Sequence, residues 1–108
     1  MDNPRTVDEC MQALAEMFSC ERQAEFTKLS RDDLIMYHHG LGQWIRNNWG
    51  LWKGGELKEH MSSLGFMHPD DMSQAIIEEY WIRLNNLPSE ITKNAQASKE
   101  YWAKKDNQ

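Results

Sequence analysis

Valine and threonine are nearly absent from this 108-residue chain, at one and three residues. Such β-branched residues favour strands. Isoleucine occurs only within helical patterns, so no segment alternates like a half-buried strand. The expected fold is all-α. Cysteine is also scarce, with only Cys10 and Cys20. Ten residues apart on one helix, they stand about 15 Å from each other, beyond disulfide reach. Reduced thiols in a cytoplasmic protein are the reading. No apolar run reaches transmembrane length, and the acidic, polar start is neither a signal nor a transit peptide. Positive charge is short as well: 12 Lys and Arg against 17 Asp and Glu leave a net charge of −5. That excludes a general nucleic-acid binder, which concentrates basic residues on one face. It disfavours an anionic membrane surface and leaves room for a basic protein partner.

Complete catalytic and metal motifs are missing too. Adjacent His38 and His39 diverge by about 100° on a helix and cannot easily share an ion. His60 stands alone, and the acids beside His68 are explained by a helix start. No HExxH spacing exists. Cys10 and Cys20 lie in or beside an apolar stripe, where thiols are inert. No catalytic residue, metal or cofactor is assigned.

What is present is concentrated. The run from His38 to Gly55 holds three of five tryptophans, five of six glycines and two of four histidines. Trp44, Trp49 and Trp52 each bury a large area when packed. The glycines permit close approach of backbone or ligand.

The local signals read as helices. Thr6 followed by Glu9 is a capping box, opening a helix with Val7, Cys10, Met11, Leu14, Met17 and Phe18 at helical spacing. Glu21 to Leu29 is more polar, a short helix or helical connection. Ser30 with Asp33 repeats the capping logic. From there Leu34, Tyr37, Leu41, Trp44 and Ile45 form one apolar stripe. Trp49 to Gly55 reads as a compact turn, and Glu56 to Leu64 as a short helix with Gly65 as its left-handed cap. Pro69, Asp70 and Asp71 begin a helix striped by Met72, Ile76, Tyr80, Leu84 and Leu87. Asn85, Asn86 and Pro88 end it.

These elements predict one compact domain over residues 1–108, of four to five helices around a Trp/Gly-rich turn. Its core spans about 6–87. Residues 88–108 form a weakly attached peripheral helix with a fraying tail.

The candidate site follows from spacing. His39, Gln43, Arg46 and Asn47 fall on one polar face of the helix after Arg31, with Trp49, Trp52 and Lys53 in the turn that follows. Two readings stay open. The face binds a partner or an anion through charge-assisted hydrogen bonds, or Arg46 pairs internally with Asp70 or Asp71. The function expected is non-enzymatic binding of another protein. The alternative is capture of a small anionic ligand or nucleotide by the His39, Gln43 and Arg46 face.

The strings GLGQWIRNNWGLW, from Gly40 to Trp52, and HPDDMS, from His68 to Ser73, carry a resemblance. With them the chain resembles a family of small bacterial and phage domains of unknown function, over about Asp33 to Leu84. The N-terminal helix and the tail after Asn86 lie outside it. The resemblance implies a helical domain, no catalysis, and one unit containing His39, Arg46, Asn47, Asn48, Asp70 and Asp71.

Overall fold

A computed structural model describes residues 3–106. Among these the chain is all-helical, with six α-helices where four or five were expected. Helix α1, Val7–Met17, starts as a capped helix should. The Thr6 hydroxyl accepts the Glu9 N–H at 3.2 Å, and the Glu9 carboxylate reaches back to the Arg5 N–H at 3.1 Å. At Phe18 the backbone turns extended, and Ser19 caps a separate α2, Cys20–Thr27. The two cysteines therefore sit on different helices. Burial pushes the Cys10 thiol up to about 12, with the Glu9 charge adding to it, whereas Cys20 is exposed. A thiol so raised stays protonated and inert.

A single rod then runs from Arg31 to Asn48 in three windings. Arg31–Tyr37 is 3₁₀, His38–Gly42 is π-helical, and Gln43–Asn48 is α3. The Asp33 carboxylate caps the rod by accepting the Ser30 N–H at 3.2 Å. Tight 3₁₀ turns and one wide π turn rotate later residues away from a constant 3.6-residue period. The effect is visible at two positions. Trp44, read on the apolar stripe, is 41% exposed, and Arg46, read on the polar face, is 6% exposed.

The rod's two glycines differ in kind. A Cβ on Gly42 would lie 3.1 Å from Arg46 Nη1 and 3.3 Å from the Tyr37 carbonyl, whereas one on Gly40 would meet nothing within 4 Å. Gly40→Ala is expected to gain up to about 1 kcal/mol from helix propensity. Gly42→Ala is expected to lose stability, because backbone and the guanidinium must both shift. Denaturant unfolding of the pair checks the opposite signs.

Helix α4, Glu56–Leu64, ends at Gly65 with φ +121°, a left-handed cap. Gly65 also receives α6 closely, since a Cβ there would meet the Ala95 carbonyl at 3.4 Å. Helix α5, Pro69–Leu84, is the central element, packed by α1, α2, the rod and α6. Its wide stripe buries Met72, Ala75, Ile76, Ile77, Tyr80 and Ile82. Phe18, Phe26, Tyr37 and Tyr80 meet beside it, with Phe26 within 5.7 Å of the other three ring centroids.

Helix α6, Ile91–Asp106, packs against α5. Ala95 and Ser98 are buried, and Trp102 is half-buried. Lys104 and Lys105 continue the helix, and the rest of the expected fray, at Asn107 and Gln108, lies outside the described residues. Where α6 meets α5, burial raises the Glu78 carboxyl above its ordinary value of 4.5. Arg31 opposes this, Glu90 adds to it, and an Asn94 hydrogen bond opposes it. Folded protein thus holds this proton more tightly than unfolded chain. Its stabilising contribution is full below pH 4.5 and is lost as pH rises through the raised folded value. Glu78→Gln should therefore melt level with the parent near pH 4 and gain on it toward neutrality. Thermal melts across that range measure the crossover.

Candidate functional site

Arg46 organises the centre of the candidate site, and it does so from inside. Its Nη1 donates to Ser73 Oγ at 2.8 Å and its Nη2 to the His38 carbonyl at 3.3 Å. Its Nε lies 3.3 Å from Asp70 Oδ1. The guanidinium thereby joins the π segment to the first turn of α5. Ser73 passes the network on by donating to the Asp70 carbonyl at 3.1 Å. A planar fork with several donors suits such a three-way junction, where a lysine would satisfy one direction at a time.

Asp71 is not part of that junction, although it was paired with Arg46 as an alternative to Asp70. A single residue step turns the two acids about 100° apart on α5. Asp71 Oδ2 instead accepts from Ser98 Oγ and Trp102 Nε1, both at 2.8 Å. The pair of acids therefore ties α5 to the rod through one member and to α6 through the other.

His68, read as a residue before a helix, is itself the cap. Its Nδ1 accepts the Asp70 N–H at 3.1 Å, which requires the tautomer bearing its proton on Nε2. The imidazole stacks on Trp102 at 5.2 Å and meets the edge of Trp52 at 5.8 Å. One histidine thus closes a helix start and anchors the Trp/Gly turn.

The remaining predicted residues divide by exposure. His39, Gln43 and Asn47 are exposed on the rod, whereas Arg46 is buried. Trp49 is buried and supports the exposed Trp44 edge-on, 5.7 Å between centroids. Trp52 is 50% exposed, and Lys53 is exposed next to it. Arg46, Asn47, Gly50, Trp52 and Lys53 line a cavity of about 110 Å³. Pockets that enclose small molecules run from about 300 to 1,000 Å³, so this one falls short of a nucleotide.

Sequence reasoning missed Ile35 and Met36, which are 62% and 70% exposed on the rod. Their apolar character beside an acidic cap was the available signal. It also missed Ser73 and the His38 carbonyl as partners of Arg46, which only the π winding brings into reach. Among the described residues, no group of three or more His, Cys, Asp or Glu converges as a metal site. No helix among them is long and apolar enough to cross a membrane.

A family model described as a domain of unknown function, DUF6794, matches residues 3–84. The chain belongs to that family. The DUF6794 span takes in α1 and α2 as well as the two strings, further toward the N-terminus than the resemblance from Asp33. Helix α6 lies beyond the matched residues, yet its Ser98 and Trp102 supply the donors for Asp71. No curated protein and no solved structure matches the chain.

Proposed function

We propose that this DUF6794 protein is a non-catalytic, cytoplasmic binding module that holds another protein on the outer face of the Arg31–Asn48 rod. The observation carrying this reading is the exposure of three large apolar side chains on one short rod, Ile35, Met36 and Trp44. Folded monomers seldom leave such groups together in water without a use. Tryptophan and methionine are also enriched where proteins grip partners. Trp44 leans on buried Trp49, so its ring is fixed before a partner arrives and little rotamer entropy is lost on contact. Met36, Gly40 and Trp44 are each exposed on the rod. Gly40 opens a place where partner backbone approaches, since nothing of this chain fills the space beside it.

The alternative, an anionic ligand or nucleotide on the His39, Gln43 and Arg46 face, finds less support. Three groups of the protein already engage the Arg46 head, and the adjoining cavity is about 110 Å³. Affinity capture from native lysate separates the two readings when the bound fraction is analysed for proteins and small molecules. The double variant Met36→Ser with Trp44→Ser is expected to fold normally and release a protein that the parent retains. Equal retention by the double variant, or capture of a small molecule alone, contradicts the proposal.

A further inference from the structure

A second surface lies away from the rod, between α5 and α6. Phe66, Ala75 and Ala97 contribute apolar walls to a groove of about 300 Å³ there. Asp71, Gln74 and Glu78 come from α5 at positions i, i+3 and i+7, so they line one face over two turns. Asn94, Ser98 and Tyr101 of α6 complete the lining, and no lysine or arginine is among the lining residues.

Asp71 Oδ2 already accepts from Ser98 and Trp102, whereas the other two acceptors of the groove have fewer donors. Gln74 donates its amide to the Leu34 carbonyl at 3.4 Å, while its buried Oε1 finds no partner. Glu78 Oε2 receives a single amide, from Asn94 at 3.1 Å. Burial penalises the charged form of Glu78, and Arg31 and the Asn94 hydrogen bond offset this only in part. At the rim the Lys105 ammonium, one turn further along α6, lies 5.4 Å over the Tyr101 ring. Tyr101 and Met67 are 52% and 56% exposed.

We propose that this groove seats an arginine side chain of a protein partner. Its methylenes lie along Phe66, Ala75 and Ala97, and its guanidinium meets the carboxylates of Glu78 and Asp71. Arginine fits better than a compact ammonium because several acceptors are spread over two turns and its fork carries five donors. The stem covers apolar wall while the head keeps polar contacts, as long cationic side chains do at surfaces. The chain's net charge of −5 favours encounter with such a basic segment. This site is separate from the Trp44 face and stands or falls independently of it.

The test is a ¹⁵N NMR titration of the full chain at low ionic strength. One probe is the peptide acetyl-Gly-Arg-Gly-amide, and a second carries citrulline, the neutral isostere, in place of arginine. The arginine peptide is expected to give saturable shifts confined to residues 66–78 and 94–105, and the citrulline peptide none. Glu78→Gln should weaken the arginine peptide about tenfold, the loss of one charge-assisted contact. Tyr101→Ala, on an exposed ring that the fold does not need, should weaken it several-fold. Met36→Ser with Trp44→Ser should leave it unchanged. Equal response to citrulline, shifts centred on the rod, or indifference to both Glu78→Gln and Tyr101→Ala overturns the proposal. Agmatine binding as tightly as the peptide overturns the docking role as well, because the groove then takes a free guanidinium compound.

Discussion

Replacing Arg46 by alanine is expected to lower stability by about 3 kcal/mol, at the lower end of the cost of breaking a buried ion pair. The position within that range follows from the partners. Asp70 is 45% exposed in its side chain, so water rehydrates its carboxylate once the guanidinium is gone. Ser73 keeps its bond to the Asp70 carbonyl. What is lost is the charge-assisted contacts and the volume of a side chain that is 7% exposed. Asp70→Asn should cost less, about 1–1.5 kcal/mol, since Ser73 and the His38 carbonyl still accept and the amide oxygen partly replaces the carboxylate. Asp71→Asn should leave the Arg46 junction alone and loosen α6. Equilibrium denaturation of the three variants measures the ordering. Equal costs for Arg46→Ala and Asp70→Asn would show that the charge pair outweighs the other two contacts.

Phe26→Ala is expected to cost about 3–5 kcal/mol, the usual penalty for removing a fully enclosed aromatic ring. Phe26 is 1% exposed and touches three rings, with centroids at 5.4 Å to Phe18, 5.2 Å to Tyr37 and 5.7 Å to Tyr80. Those rings come from the end of α1, the 3₁₀ segment and α5, so one deletion opens a cavity where three elements meet. At about 4 °C for each kcal/mol in a domain of this size, the melting temperature should fall by about 12–20 °C. A fall under about 4 °C would mean that α2 closes over the gap. Phe18→Ala should do less, because its ring already borders water beneath the Arg22 guanidinium, 5.3 Å away.

Local chemistry made much of the fold legible. Thr6 with Glu9, Ser30 with Asp33, Pro69 with its acids and Gly65 each act within one turn, so spacing alone locates their helix ends. An arginine among apolar neighbours, with two acids at a proline-led helix start elsewhere, was enough to expect an internal pair as one reading. The π turn at His38–Gly42 was not legible. Its i→i+5 winding leaves no compositional mark beyond two glycines, yet it decides which face Trp44 and Arg46 occupy. The role of Asp71 was hidden for a different reason. Its donors, Ser98 and Trp102, lie 27 and 31 residues away on a helix whose own apolar stripe is thin. The capping role of His68 was hidden because histidine is an uncommon cap, recognisable only when Nδ1 is seen against the Asp70 N–H.

The division of the rod between a structural Arg46 and an outer binding face turns on that arginine. If that residue serves the fold, binding is left to the outer face of the rod. The NMR signal of the Arg46 Nε–H, followed in water while inorganic phosphate is added, tests this division most directly. An enclosed Nε–H against Asp70 should exchange slowly with solvent and hold its position as phosphate rises. A fast-exchanging signal that shifts saturably with phosphate, and reverts with added salt, would make Arg46 an anion ligand and contradict the division of roles.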